Sequence, residues 1–384
     1  MTSIEILKKL ISFDTVSSNS NLELISFCKQ ILENAGAKVT IIKNKEETKG
    51  NLFATIGPEN QRGIILSGHT DVVPVKNQAW TTDPFKLTEK DGRLYGRGTA
   101  DMKSFVACAL QAASKASRMK LKTPLHFAFS YDEEIGCVGV KSLIEMLKSA
   151  PFEPLFCIVG EPTLMQVMSG HKGKVNAAAF IKGKEAHSAL TTKGLNSIYM
   201  ASELIQGIQN IQTNLINNSD HDHDFEVPYT TLQVGKIEGG VAVNIVPSSS
   251  TLLFEIRNIA NDNPDVIIKE IEKLSEKIVK SHIDQFPDAS IEINIISEYP
   301  PLNTLKNADV ISFLNGLTGN NNVEKVSFGT EGGLFSDQLN IETAICGPGS
   351  MDQGHKPNEY IEKAQIDLCD QMLENLLNKL EKGL

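Results

Sequence analysis

Apolar and polar positions alternate along this chain with two different periods, and the changes between them predict its organisation. At the start, Ile4, Leu7, Leu10 and Ile11 recur at three- and four-residue intervals with lysines between them. That spacing predicts a folded amphipathic helix and no signal peptide. From about residue 50 to 160 short β-rich runs alternate with helical patterns: "NLFATIG", "GIILSG", a helix after Asp101, "PLHFAFSYDEE", a helix around "GVKSLIEML", then "LFCIVGE". Apolar strands separated by helices indicate α/β architecture, a doubly wound sheet with both faces covered.

Between residues 173 and 297 the order changes. Strand "KVNAAAFIKG", helix "GLNSIYMASELIQGIQNIQTNL", strands "TTLQVGKI" and "STLLFEIRNI", helix "PDVIIKEIEKLSEKIVKSHI" and strand "ASIEINII" follow one another. This βαββαβ order is that of a ferredoxin-like domain, and Asn263-Pro264 supplies a helix N-cap followed by proline at the first helical position. The unit is expected as an insertion, 173–297, within a domain made of 1–172 and 298–384. The chain then returns to α/β character and finishes on a helix with Ile366, Cys369, Met372, Leu373, Leu376, Leu377 and Leu380 on one stripe.

The length of 384 residues allows two domains that each bury a core. A net charge of −10, with the basic residues scattered, argues against a nucleic-acid surface. No apolar run approaches the roughly 20 residues of a membrane span. The six cysteines show no paired spacing and sit in runs such as "FVACAL", which reads as reduced core thiols and a cytoplasmic location. The segment "NNSDHDHDFEVP" reads as a solvated loop in spite of its two histidines.

Potential metal donors gather where the strands of the first domain end. His69 and Asp71 follow one strand, Asp101 follows "GRLYGRGTA", Glu133 and Glu134 follow "LHFAFSY", Glu161 follows "LFCIVG", and His355 lies far downstream in "GPGSMDQGHKPNEY". In open α/β sheets ligands gather outside the carboxyl ends of strands. Two histidines and several carboxylates suit a pair of borderline-soft divalent ions about 3.5 to 4 Å apart, able to polarise a water or an amide carbonyl. In the tandem pair one carboxylate could ligate while its neighbour serves as general base. The G-x-S-x-G elbow, the phosphate-binding G-x-x-x-x-G-K-[ST] and H-E-x-x-H are all missing, which leaves metal-assisted hydrolysis.

These segments, with "WTTDPFKL", "DEEIG", "GEPT", "HKGKVNAAAFIKGKEAHS", "VNIVPSSSTLLFEIR" and "TEGGLF", resemble the dinuclear-zinc aminoacylase and carboxypeptidase superfamily. Within it they look like the branch of acetylornithine deacetylase and succinyl-diaminopimelate desuccinylase. The resemblance implies a zinc-hydrolase catalytic domain with an inserted dimerisation and lid domain, a homodimer formed through that domain, and two zinc ions per subunit, with cobalt or manganese as substitutes. His69 and Glu161 would bind one ion, Glu134 and His355 the other, and Asp101 would bridge. Asp71 would orient His69, Glu133 would be the general base, and the bond after Asp101 would be cis. His187 in "KEAHS" would polarise the scissile carbonyl from the opposite subunit, while Asn244 and Arg257 would hold the substrate.

The substrate expected from the resemblance is a small N-acyl amino acid. "TEGG" and "CGPGSMDQGHKPNEY" favour the deacetylase side of the branch, hence N2-acetyl-L-ornithine cleaved to L-ornithine and acetate in arginine biosynthesis, with Glu331 near the cationic end. Desuccinylation of N-succinyl-diaminopimelate and broader aminoacylase activity are the alternatives of the same chemistry. A non-catalytic dimeric binding module is the alternative of another class. Ser104, where many relatives have glycine, and Ala189, where a second serine is frequent, are departures from the family pattern.

Overall fold

In the computed structural model of the chain, residues 1–59, 61–150 and 154–384 are described, and they divide into two compact units. The first comprises Met1–His171 and Leu302–Leu384, the second Lys172–Pro301. The first unit opens with helices α1 (Ser3–Ile11) and α2 (Leu22–Asn34) and strands β1 (Lys38–Lys43), β2 (Gly50–Ile56) and β3 (Ile64–His69). After the short strands β4 (Thr88–Lys90) and β5 (Arg93–Tyr95) come α3 (Lys103–Ala116), β6 (Leu125–Ser130), α4 (Val140–Lys148), β7 (Phe156–Val159) and β8 (Val167–His171). The second unit carries β9 (Lys174–Lys182), β10 (Ala186–His187), α5 (Ser197–Asn218), β11 (Thr231–Gly239), β12 (Ile245–Val246), β13 (Ser249–Arg257), α6 (Pro264–Lys280) and β14 (Ser290–Tyr299). The first unit resumes with β15 (Leu302–Asn303), α7 (Asp309–Thr318), β16 (Val323–Val326), α8 (Gly332–Leu339), β17 (Glu342–Ile345), β18 (Tyr360–Glu362) and α9 (Lys363–Lys382).

Thr2 caps α1 as half of a reciprocal capping box: its hydroxyl accepts from Glu5 N, and its own N–H donates to the Glu5 carboxylate. The main sheet runs β1-β2-β6-β3-β7-β17-β8-β15, with β16 paired to β8. Its middle strands β6, β3, β7 and β17 are mutually parallel, while β1, β2 and β15 join antiparallel to their neighbours. Every residue of β2, β3 and β6 is buried, which requires cover on both faces. Helices α1, α2 and α9 pack around α3, which lies on β3, whereas α4 packs against α8, β2 and β6. The apolar stripe of α9, from Ile366 to Leu380, is buried in this core.

The second unit has one four-stranded antiparallel sheet, β11-β13-β9-β14, in the βαββαβ chain order of a ferredoxin-like fold. Val175, Ala177, Ala179 and Ile181 of β9 alternate onto the face covered by α5 and α6. Asn196 and Asn263 cap these two helices through their side chains, and Pro264 follows the second cap. A short β10–β12 ribbon is added to the plan. The fold is therefore mixed α/β, a covered central sheet with an inserted antiparallel unit.

Some predicted boundaries shift. The run "LHFAFSYDEE" is strand only to Ser130, because Asp132 adopts φ 55 and both its carboxylate oxygens are held by the Lys49 ammonium. Glu133 and Glu134 thus occupy a turn beyond the strand. All six cysteines are buried free thiols. Among the described residues no helix is long and apolar enough to cross a membrane.

Candidate metal centre

His69 is the last residue of β3 and is buried to 1% exposure. Its Nδ1 faces the main-chain carbonyl of Asp71 at 2.9 Å and so carries a proton, while Nε2 is turned toward carboxylates. Nε2 lies 2.9 Å from Asp101 Oδ1 and 3.6 Å from Glu161 Oε1. The Asp71 carboxylate itself is 3.6 Å from Nδ1 and takes stronger partners elsewhere. It accepts from Glu133 N at 3.1 Å, Glu134 N at 3.3 Å and the Ser17 hydroxyl at 2.7 Å. Asp71 therefore ties the His69 turn to the tandem glutamates, a wider task than orienting one imidazole.

Asp101 stands on the turn before α3, next to a cis peptide bond to Met102. Its second oxygen, Oδ2, lies 3.1 Å from His355 Nε2, and that nitrogen is 3.0 Å from Glu134 Oε2. One carboxylate thus spans two imidazoles. Glu161 follows β7, where Gly160 admits the Phe105 ring of α3: a Cβ at residue 160 would lie 1.9 Å from that ring. Only glycine lets the helix approach closely enough to place Glu161 over the site.

The donor atoms of His69, Glu133 and Glu161 fall within 4.8 Å of one another, as do those of His69, Asp101 and Glu134. Distance to His69 alone does not separate Glu133 from Glu134; their other partners do. Glu134 faces His355, whereas Glu133 Oε1 receives the Cys137 thiol at 3.3 Å. Burial pushes Glu133 up to about 8 and Glu134 to about 7, and it raises Glu161 well above the carboxylate range. Asp101 is held low: burial opposes ionisation, but the hydrogen bonds from His355 and His69 win. His355 is raised to about 10 by its bonds to Asp101 and then Glu134.

Four carboxylates crowding two imidazoles in a buried space call for compensating positive charge. Tetrahedral bonds of about 2.0 to 2.2 Å put neighbouring ligand atoms roughly 3.3 Å apart, the scale of the spacings here. Imidazole with carboxylate is also the donor mix that suits zinc, cobalt or manganese. The residues fit a pair of divalent cations.

Glu331 lies at the start of α8, 1% exposed. One oxygen receives the Ser67 hydroxyl at 3.3 Å, and the buried Ser130 hydroxyl lies close by; among the described residues Oε1 makes no hydrogen bond of good geometry. Burial raises Glu331 to about 7. The remaining candidates belong to the second unit. His187 is exposed on β10, its Nδ1 accepting from Ala189 N, and the Asn244 carbonyl accepts from Ser188 N in the same ribbon. Arg257 ends β13, bonded to Glu255 and the Tyr299 hydroxyl.

Sequence reasoning missed the supports. Ser104, buried, donates to the Thr99 carbonyl just ahead of Asp101. Glu359, 1% exposed, accepts from the amides of Gly98, Ala100 and Asp101 and from the Arg97 guanidinium. Arg97 inside the glycine-rich run "GRGTA" and Glu359 in "GHKPNEY" were the available signal. In "NNSDHDHDFEVP", His221 Nε2 lies 3.0 Å from the Ile216 carbonyl, and no group of three mutually close donors forms there among the described residues.

Residues 65–379 match Peptidase family M20/M25/M40. A protein of Myxococcus xanthus named acetylornithine deacetylase is 34% identical over 372 residues, covering 96% of this chain and 94% of that one. One of the same name from Pasteurella multocida is 33% identical, covering 97% and 94%. In fold, the chain is similar to an M20 family metallo-carboxypeptidase of Sulfolobus solfataricus, with a TM-score of 0.80, 19% identity and 99% of each chain covered.

Proposed function

The chain belongs to peptidase family M20/M25/M40, and from that premise we propose that it hydrolyses N2-acetyl-L-ornithine to L-ornithine and acetate at a two-cation centre. The observation that carries the metallohydrolase reading is Asp101, one oxygen toward His69 and the other toward His355. The names of the full-length relatives support the choice of acyl amino acid. When bound, a pair of divalent ions would polarise the amide carbonyl and make water a stronger acid.

In this reading His69 and Glu161 would hold one ion and Glu134 and His355 the other, with Asp101 available to both. Glu133 takes the proton from the attacking water and returns it to the departing amine. Its burial, with Glu134, Glu331 and Asp101 nearby, favours the protonated form, which bound cations would offset. His187, supplied by the partner of a homodimer, would donate to the developing oxyanion. Asn244 and Arg257 would hold the substrate's carboxylate end, the guanidinium fork exchanging Glu255 for it. Glu331, with one oxygen unsatisfied, would face the cationic end of the substrate. Glu331→Gln should then raise KM chiefly for cationic substrates; an unchanged preference would remove it from that role.

The test is amine release by zinc-reconstituted protein given N2-acetyl-L-ornithine and N-succinyl-L,L-diaminopimelate side by side, with a chelated control. Chelator-sensitive turnover of the first alone is expected. Preference for the second would move the assignment to desuccinylation. Two bound cations with no turnover of any N-acyl amino acid would favour a binding module.

A further inference from the structure

We propose that Gln78 is a positioning residue for His355, clasping the loop that carries this donor to the loop that carries Asp101. The inference rests on the two-cation reading above. His355 is poorly restrained by its own segment: it lies among turns, its side chain is 45% exposed, and its backbone takes φ 61, which side-chain-bearing residues rarely adopt.

The His355 carbonyl accepts from Gln78 Nε2 at 3.0 Å. Gln78 Oε1 receives Arg97 Nη2 at 2.6 Å and the Trp80 indole N–H at 3.0 Å. Guanidinium and indole are donors only, so Oε1 must face them and Nε2 must face the carbonyl. Arg97 is buried, lies 5.1 Å from the Trp80 ring centroid, and donates through Nη1 to Glu359 at 2.6 Å. Glu359 in turn accepts from Ala100 N at 2.8 Å and Asp101 N at 3.1 Å. Asp101 and His355 therefore meet twice. Their side chains touch at 3.1 Å, and behind them a chain of hydrogen bonds runs from the His355 carbonyl through Gln78, Arg97 and Glu359 to the Asp101 amide. Thr81 adds a clasp, its N–H and hydroxyl both donating to Asn358 Oδ1. Arg97 and Glu359 are core residues whose loss would leave a buried charge unpaired. Gln78 is only half-buried and can be altered without opening the core.

Gln78→Glu isolates the proposed link. It keeps an oxygen for Arg97 and Trp80 and replaces the donor to His355 with an acceptor. A role confined to satisfying Arg97 would leave this variant unharmed. Cobalt titration of the full chain, followed by calorimetry and visible absorption, should show one of two equivalents weakened about tenfold or more, the usual effect of losing a group that orients a ligand. The other should stay near wild type, and the melting temperature of the metal-free protein should not move. Gln78→Met should show the same selective loss. Two wild-type affinities in Gln78→Glu, or equal weakening of both, would overturn the proposal. Fewer than two equivalents in the wild type would instead overturn the two-cation reading, and the inference with it.

Discussion

His69 and His126 lie on neighbouring parallel strands of one sheet, both exposed by no more than 1%, and their protons behave in opposite ways. His126 pairs with Ile65, four residues back along β3 from His69. Its Nδ1 is 2.9 Å from the Thr55 hydroxyl and its ring stacks on Phe53, with no carboxylate among these neighbours. Burial alone drives it down to about 4. At His69 burial pulls the same way, but the hydrogen bond to Asp101 and the nearby carboxylates of Asp71 and Glu161 outweigh it and raise the imidazole well above its usual value. Burial excludes charge; burial beside several carboxylates invites a cation. The two ends of the sheet also differ in room. A Cβ at Gly63, where β3 begins, would lie 2.4 Å from the Pro124 carbonyl, whereas the other end opens into the loops that carry the donors.

The sharpest contrast is expected from Glu133→Gln at the crowded end. Turnover should fall roughly 10²- to 10⁴-fold, the range for loss of a general base, with both cations retained. Amine release and metal content measured on one preparation check it, and full activity would remove Glu133 from its role. Chelation should come next in size. Ligand binding at 100 to 1,000 times its Kd adds about 2.7 to 4.1 kcal/mol, so metal-free protein should melt earlier, with hydrogen exchange rising at the carboxyl end of β3 and staying unchanged in the second unit. The smallest effect belongs to His126. The unfolded chain takes up a proton near pH 6.5 and the folded chain only near 4. Stability is therefore full above about 6.5 and declines as pH falls toward 4, by about 3 kcal/mol at most. Denaturant melts of His126→Phe should lose that part of the slope.

The same contrast explains what the sequence made legible. Periodicity alone reads α9 and the βαββαβ order, because a one-sided helix or alternating strand repeats its burial locally. His69 and Asp71 stand out as close neighbours after an apolar strand. Their actual geometry does not: the Nδ1 partner is a main-chain carbonyl, and the Asp71 side chain turns to the amides of Glu133 and Glu134. Asp101 and His355, or Gln78, Arg97 and Glu359, lie too far apart in the chain for any spacing to join them. Donor type marked Asp101 and His355 one by one, but only the resemblance joined them; the charges of Arg97 and Glu359 inside "GRGTA" and "GHKPNEY" were a signal without a partner, and nothing pointed to Gln78.

In the proposed centre Asp101 would be shared by two cations. Zinc titration of the wild type beside Asp101→Ala, with circular dichroism to verify folding, tests it most directly. The wild type should bind two equivalents and the folded variant should hold both more weakly. A folded Asp101→Ala protein that binds two equivalents as tightly as the wild type would contradict it.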